Sequence, residues 1–505
     1  MAAGQAQRRR PRPATGRMAR LAVAAAALAA IVLALTMLWR EGAGVETTEI
    51  AAGQTPATLY ARPGTTGAPL VVVAHGFAGS RQFMQAFSLT LAQAGYAALA
   101  FDFEGHGRNP VPMSGDVNAI EGTTQRLIDE TQRVIAAGLE RPEAGGGLAL
   151  VGHSMATDVL VRAALQRDDV NAIAAVSLYS EAVTGAAPAR LLMVSGQWEP
   201  HLRAAALGYM GMVAPGAGEG QTVARDTVVR RAVVAPHVEH VGVLYADTTQ
   251  REVRSWLDAT FERESAGAVA QRGIWVALLM AGIVALAWPA VTLLPKASRA
   301  AVPGWRVLGA ATLGPALVTP LALIPVDTAV LPVLVADYLA VHLALYGGLQ
   351  IAILYWAGIR FERGPLWPAA ALAVYGIGVL GLALDTFGAS FFPHTGRVPI
   401  IAAVALGAVP FMLGDALATA GGAAPLARRL AVRAGLFLSL AVAVALDFEG
   451  LFFVLLILPV ILLFFLIYGT MGGWVGRRCG PAAQGLGLGL CLAWAIGVSF
   501  PLFSP

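Results

Sequence analysis

Residues 147–156, GLALVGHSMA, decide the fold of the region around them. The apolar run before Gly152 is typical of a buried strand, and the residues after Ser154 have the spacing of an amphipathic helix. A tight turn between strand and helix would lift the Ser154 hydroxyl clear of the sheet, provided that small residues lie two positions before and after it. Gly152 and Ala156 meet that requirement. The stretch predicts a nucleophile elbow, although a glycine-serine turn between strand and helix is also ordinary structure.

The flanking sequence, from about 46 to 272, alternates short β-rich runs with amphipathic runs. This alternation is typical of βα units around a largely parallel sheet. Near-continuous apolar runs such as LVVVAHG favour strands that are covered on both faces. The predicted strands are 69–74, 96–103, 147–151, 172–178, 190–195 and 228–235, and the predicted helices are 81–94, 118–139, 155–166 and 249–261.

A second motif, His75-Gly76-Phe77, directly follows the first of these apolar runs. If Ser154 attacks a carbonyl, the tetrahedral intermediate needs two N–H donors for its oxyanion. The backbone N–H groups of Phe77 and Met155 are the candidates, one from each loop. The alternative is an ordinary turn with a buried histidine.

The acid of a catalytic triad is predicted at Glu199, in the turn SGQWEP (195–200) that follows another predicted strand. This position would place its carboxylate at the same edge of the sheet as Ser154. A carboxylate there would hold an imidazole in its productive tautomer and stabilise the imidazolium. A solvent-exposed glutamate is the simpler interpretation, and Asp226 and Asp247 are less well placed substitutes.

The general base is predicted at His240, in the loop VEHV (238–241) between a predicted strand and the amphipathic run TTQREVRSWLDATF. His237 is the rival. His153 and His75 belong to their own motifs and are poorer candidates. The order serine, acid, histidine along the chain is the order that one common hydrolase fold uses.

Together these motifs make the region resemble the α/β-hydrolase family, including its serine aminopeptidase-like and dienelactone hydrolase-like branches. The run DFEGHGR (102–108) is similar to that family's DxxGHG turn, which is usually structural and lies near the site. The resemblance covers roughly residues 45 to 265. It implies an α/β-hydrolase sheet with helices on both faces and a Ser-His-Glu triad of Ser154, His240 and Glu199.

The chain as a whole is too apolar for a purely soluble protein. Of its 505 residues, 57% are hydrophobic and 13% are charged, and the mean hydropathy is +0.65. An arginine-rich start precedes the apolar run 21–39, which is long enough to cross a bilayer and reads as a signal anchor rather than a cleaved signal peptide. About eight further apolar segments follow, near 273–294, 307–325, 331–358, 366–385, 399–419, 434–447, 451–472 and 483–503.

The predicted division is therefore a cytoplasmic basic N-terminus (1–20), a transmembrane anchor (21–40), a hydrolase domain (41–270) and an all-α membrane domain (271–505). Basic residues set the orientation of membrane proteins because cytoplasmic loops are enriched in them. The external loops hold only Arg397. The loops assigned to the cytoplasm hold Lys296, Arg299, Arg306, Arg360, Arg363, Arg428, Arg429, Arg433, Arg477 and Arg478. This places the hydrolase domain in the periplasm or cell exterior, with Pro505 on the same side.

Two features bear on substrate access. Only about a dozen residues separate the strands predicted at 172–178 and 190–195, where many relatives insert a lid, so the site is predicted to be open or to be roofed by the membrane domain. Acidic residues near span ends could line a polar cavity on the hydrolase side, together with His394, but capping of helix ends is favoured for most of them. They are Asp337, Asp385, Asp447 and Glu449, and Asp415 lies within a span.

The sequence predicts a membrane-anchored serine hydrolase of a small-molecule or lipid-linked ester, thioester or amide, in contact with the lipid bilayer. The alternative is a transporter or assembly protein with a non-catalytic hydrolase-like module. Cys479 and Cys491 lie in or beside the last spans and form no metal-ligand spacing, so no metal or cofactor is expected. The basic residues cluster beside apolar runs, so no nucleic-acid partner is expected.

Overall fold

A computed structural model describes residues 15–116, 120–265, 267–297, 300–362 and 364–504. Arg8, Arg9, Arg10, Arg12, Arg299, Arg363, Pro505 and the first residues of the helix predicted at 118–139 lie outside these ranges.

The α/β half contains a sheet of nine strands. They are β1 (Glu46–Ala52), β2 (Thr55–Ala61), β3 (Ala68–Ala74), β4 (Ala97–Phe101), β5 (Ala144–His153), β6 (Val170–Val176), β7 (Arg190–Gly196), β8 (Thr222–Arg225) and β9 (Val228–Ala235). Their order in the sheet is β1-β2-β4-β3-β5-β6-β7-β9-β8. Strands β3 to β7 and β9 run parallel, whereas β1, β2 and β8 join through antiparallel pairs.

Helices cover both faces of this sheet, as predicted. Along β3, Leu70 and Val72 face one apolar cluster while Val71 and Val73 face the other, so every residue of the strand is buried. Helices α3 (Gln125–Leu139) and α4 (Met155–Leu165) pack on the first face, and α2 (Gln85–Gln93) and α6 (Asp247–Thr260) on the second. This double burial explains why the strand sequences lack hydrophobic-polar alternation.

Several elements differ from the sequence prediction. The helix predicted at 81–94 begins as a 3₁₀ turn over Arg81–Met84. The hairpin of β1 and β2, the strand β8 and helix α5 (Pro200–Gly211) were not predicted. The hairpin strands ETTEIAA and TPATLYA carry too few large apolar residues to give a strand signal.

Nine helices of the described residues are long and apolar enough to cross a membrane. Eight of these spans follow the α/β half, the number that the hydropathy pattern predicts. They comprise α7 (Arg272–Ala290), α8 (Trp305–Leu323), α9 (Ala336–Trp356), α10 (Trp367–Ala373) continued by a π-helical turn and α11 (Gly381–Phe387), α12 (Val398–Ala418), α13 (Leu426–Leu446), α14 (Phe448–Cys479) and α15 (Pro481–Ser499). The ninth is the N-terminal helix α1 (Thr15–Gly42), which packs along α7.

The α/β half lies against one end of this helical half. Phe503–Ser504, after α15, pairs in parallel with Met113–Ser114 of the α/β half. Arg397, next to α12, donates to the carbonyl of Gly105 at 2.7 Å, and Arg108 forms an ion pair with Asp385 at 2.5 Å. The last described residues therefore lie on the same side of the helical half as the α/β domain.

The acidic residues at the span ends act mostly through backbone hydrogen bonds. Asp447 accepts from Gly450 N at 3.0 Å at the start of α14, Asp337 accepts from Val330 N at 3.0 Å, and Asp385 accepts from Phe391 N at 2.9 Å. Asp337 and Asp447 also line a cavity of about 380 Å³. Both sequence interpretations, helix-end capping and a polar cavity, thus describe part of this region.

Candidate active site

The turn from β5 to α4 presents Ser154 in a backbone conformation that ordinary residues rarely adopt, with φ 53° and ψ −120°. The turn is tight because small residues surround it. A Cβ on Gly152 would lie 2.6 Å from Leu160 Cδ1, and one on Gly76 would lie 3.0 Å from the Cβ of Ser154. Glycine at these two positions lets the helix and the loop after β3 approach the serine.

The sheet topology places the two loops side by side. Strands β3 and β5 are neighbours, and their chain connections leave in opposite directions, toward β4 and toward β6. A crevice outside the carboxyl ends of the strands at such a switch point is the usual ligand site of an α/β sheet. Phe77 follows β3 and Ser154 follows β5, so both loops open into this crevice.

Three side chains predicted from the sequence meet there in one hydrogen-bonded chain. The Oγ of Ser154 lies 2.9 Å from Nε2 of His240, and Nδ1 of His240 lies 2.5 Å from Oε1 of Glu199. With the Nδ1–H donating to the carboxylate, Nε2 is free to accept the serine proton. The His240 side chain is 45% exposed and that of Glu199 only 5%, so the chain runs from the interior to the open surface.

The Glu199 carboxylate is fixed by more than the histidine. Its Oε2 accepts from the backbone N–H of Gly196 at 2.5 Å and from the hydroxyl of Ser177 at 2.9 Å. Burial would raise the pKa of this carboxyl, but the bonds from His240, Gly196 and Ser177 outweigh burial and leave the pKa below its ordinary value. Glu199 therefore stays ionised, which keeps the imidazole oriented.

The rival residues make other contacts. His237 has positive φ and its backbone N–H donates to Gln197 Oε1. His153 lies beside the site, and its Nε2 donates to the carbonyl of His240 at 2.9 Å. Asp247 pairs with Arg251, and Asp226 is in the turn between β8 and β9 with φ 55°.

The two proposed oxyanion donors lie at the ends of the same two strands. Met155 is the first residue of α4, and N–H groups in a first helical turn have no carbonyl partner within the helix. Phe77 lies in a turn closed by a hydrogen bond from Gly79 N to Gly76 O at 3.0 Å. The N-terminal end of α4 also carries a positive partial charge, which suits a developing oxyanion.

The DFEGHGR run supports the Phe77 loop from behind. Asp102 is fully buried and accepts from the backbone N–H groups of Arg81 at 2.7 Å and Arg108 at 3.0 Å. Phe103 N donates to Nε2 of His75 at 3.1 Å, and burial lowers the pKa of His75, so this imidazole stays neutral as an acceptor. The run is thus structural, as the resemblance implies.

One residue at the site comes from the helical half and carried no sequence signal. The Phe453 ring, on α14, lies 5.3 Å from the ring of Phe77, centroid to centroid. Both rings line a cavity of about 240 Å³, whose wall also includes Met155. The helical half therefore supplies part of the wall of a cavity beside the Phe77 loop. That the membrane domain covers the catalytic serine stays a prediction. An apolar residue in a membrane span cannot be distinguished by sequence from its lipid-facing neighbours.

One family model matches part of the α/β half. Residues 67–243 match the family model described as serine aminopeptidase, S33. The comparison with curated proteins gave no match. Among solved structures, TT1662 from Thermus thermophilus is 20% identical, over 44% of this chain and 99% of that one, with a TM-score of 0.33. Dienelactone hydrolase from Anabaena variabilis is 16% identical, over 44% and 98%, with a TM-score of 0.32.

A third solved structure, E-2-(acetamidomethylene)succinate hydrolase, is 16% identical over 42% of this chain and 99% of that one, with a TM-score of 0.31. The family match, the mixed sheet with its helices, the apolar N-terminal helix and the C-terminal spans confirm the predicted fold class. Within the described ranges, no group of three or more His, Cys, Asp or Glu side chains could hold a metal ion.

Proposed function

We propose that this α/β-hydrolase, which is of the serine hydrolase type, cleaves an ester, thioester or amide through an acyl-enzyme formed on Ser154. The observation that carries the proposal is the hydrogen-bonded chain from Ser154 Oγ through His240 to Glu199. Its geometry gives each residue one role: nucleophile, general base and orienting carboxylate. An assembled chain of this kind favours catalysis over the alternative of a non-catalytic module on a transporter or assembly protein.

In the first half-reaction, Ser154 Oγ attacks the substrate carbonyl carbon while Nε2 of His240 takes the hydroxyl proton. The carbonyl oxygen becomes an oxyanion, which the N–H groups of Phe77 and Met155 would hold. The bond to the leaving group then breaks, and the proton on His240 passes to the departing oxygen, sulfur or nitrogen. The products are the free alcohol, thiol or amine and the acyl ester of Ser154.

In the second half-reaction, water attacks the acyl-enzyme and gives its proton to His240 Nε2. Collapse of the second oxyanion breaks the bond to Oγ, and His240 returns the proton to Ser154. The carboxylic acid leaves, and the enzyme regains its starting state. Glu199 remains ionised throughout and stabilises the imidazolium that forms twice in each cycle.

The proposed setting is a membrane, with the α/β half at the periplasmic or outer face of a bacterial plasma membrane. Nine apolar helices and the distribution of basic residues between the two ends of the helical half support this placement.

Labelling of the full chain with a fluorophosphonate, which reacts with activated serines, tests the proposed function. The wild-type protein should be labelled, and Ser154→Ala should not. Ser255→Ala, on the exposed surface of α6, is the matched control and should be labelled as the wild type is. Labelling of the Ser154→Ala protein at full rate, with an unchanged melting temperature, would show that the nucleophile lies elsewhere.

A further inference from the structure

Four phenylalanine rings form a continuous series from the start of α14 to the active-site loop. The centroid distances are 5.8 Å from Phe448 to Phe452, 5.7 Å from Phe452 to Phe453, and 5.3 Å from Phe453 to Phe77. We call these four residues the aromatic series. The series ends at Phe77, whose backbone N–H is a proposed oxyanion donor.

The other end of the series faces the surroundings of the membrane half. Phe448 is 58% exposed and Phe452 is 42% exposed, whereas Phe453 is only partly exposed. All three are in the first two turns of α14, a candidate membrane span with a mean hydropathy of 3.2 in its most apolar window. Exposed, purely apolar rings on a spanning helix would face lipid in a membrane.

The cavity at the inner end of the series suits an apolar chain. Apart from Phe77 and Phe453, its wall includes four apolar residues, Met113, Leu127, Met155 and Val159, and two threonines, Thr123 and Thr124. The Thr123 hydroxyl donates to the carbonyl of Ser114 at 3.0 Å. The one charged residue in the wall, Asp158, has both oxygens engaged, one with Arg162 Nε at 2.8 Å and one with Ser180 Oγ at 2.5 Å. A methylene chain would therefore contact mostly apolar side chains, and the polar groups of Asp158 and Thr123 already have partners.

The helical half also holds the opposite wall in place. Met113 is buried, and its backbone N–H donates to the carbonyl of Leu502 at 2.8 Å. The cavity thus has one wall on a span and another fixed by the segment after the last span. This arrangement couples the shape of the cavity to the membrane half and not to the α/β domain alone.

We infer that the substrate is a bilayer-held ester whose long acyl chain enters along the aromatic series and occupies this cavity, with Phe453 as a specificity-determining residue. The inference rests on the proposed function and names its substrate class. The position fits the chemistry, because a cavity walled by both oxyanion residues receives the chain attached to the carbonyl carbon. The bilayer supplies such chains at the exposed end of the series.

The test uses the full chain in lipid nanodiscs and compares kcat/KM for the nitrophenyl esters of acetate and dodecanoate. The wild type should prefer the dodecanoate. Phe453→Ala should lower the dodecanoate-to-acetate ratio roughly tenfold, the scale of discrimination that apolar pockets reach. Phe453→Trp, which fills more of the cavity but keeps an aromatic ring, should also lower the ratio. Leu463→Ala, a 53% exposed position on the same helix, is the control and should leave the ratio unchanged.

Each result separates this inference from the proposed function. If the wild type reacts with a fluorophosphonate but shows no preference for the long chain, the substrate class is wrong and the triad stands. If both Phe453 variants fold and keep the wild-type ratio, Phe453 does not determine specificity and the inference fails. If the wild type neither reacts with the probe nor cleaves either ester, the proposed function itself fails, and the inference with it.

Discussion

The guanidinium of Arg397, at the start of a candidate membrane span, donates a 2.7 Å hydrogen bond to the carbonyl of Gly105 in the α/β half. The same guanidinium donates to the carbonyls of Gly497 and Phe500, and the residue is 1% exposed. Gly105 belongs to the DFEGHGR turn, which supports the Phe77 loop. One arginine thus connects two spans with the structure behind the candidate active site.

Replacement of Arg397 by methionine should therefore destabilise the full chain. The change removes the donors to three buried carbonyls, and a lost hydrogen bond to a charged group costs about 2 kcal/mol. A fall of several degrees in the melting temperature in detergent is expected. Arg306→Met is the control, because Arg306 is exposed at the opposite end of the helical half. Equal melting temperatures for Arg397→Met and the wild type would show that this contact contributes nothing to stability.

The acid and the base of the triad should differ in their contribution to turnover. His240 transfers the proton, whereas Glu199 orients and stabilises, so Glu199→Gln should lower kcat less than His240→Ala does. Losses of roughly 10⁴-fold and 10⁶-fold are the scale for these two roles in serine proteases. Hydrolysis of a nitrophenyl ester by both variants provides the measurement. An unchanged kcat for Glu199→Gln would place the acid elsewhere.

Acidification should destabilise the folded chain through His153. Burial, and then the neighbouring His240, lower the pKa of His153 to about 3 from an ordinary 6.5. Between these pH values His153 binds a proton in the unfolded chain but not in the folded chain, so the free energy of unfolding falls as the pH falls through this range. His153→Gln should therefore lose less in melting temperature between pH 7 and pH 4 than the wild type.

The difference in melting temperature between the wild type and His153→Gln at pH 8 measures only the cost of losing the His153 contacts, because His153 is neutral at that pH in both the folded and the unfolded chain. If the two proteins lose the same number of degrees on acidification, His153 is not the group that couples folding to pH.

The candidate triad was predictable because each member follows a strand, and local sequence marks strand ends. Ser154, Glu199 and His240 lie after β5, β7 and β9, so parallel topology alone brings them to one edge of the sheet. Phe453 and Met113 were not predictable as cavity residues. Their placement depends on how a span packs against the α/β half and on a two-residue pairing with Phe503–Ser504, and neither leaves a periodic pattern.

The packing explains why Arg397 is the one basic residue that the sequence assigns to the loops on the hydrolase side. The sequence places Arg397 alone in the loops on the hydrolase side. The structure buries it against Gly105, so its charge faces protein carbonyls and not the solvent of that compartment. If Arg397 is left out, the excess of basic residues in the loops assigned to the cytoplasm is larger than the full count of loop residues indicates.

We expect the α/β half and the C-terminal end to face the periplasm or exterior, and the loop after α7 to face the cytoplasm. Of the nine candidate spans, one precedes the α/β half and eight follow it, and this even number puts the α/β half and the last described residues on one side. The pairing of Phe503–Ser504 with Met113–Ser114 requires the same. Alkaline phosphatase fused after Ser265 or at the C-terminus should be active in a bacterial host, because it folds only outside the cytoplasm. A fluorescent protein fused after Lys296 should fluoresce. Fluorescence from a fusion after Ser265 would reverse the orientation of the whole chain, while leaving the contact between its two halves intact.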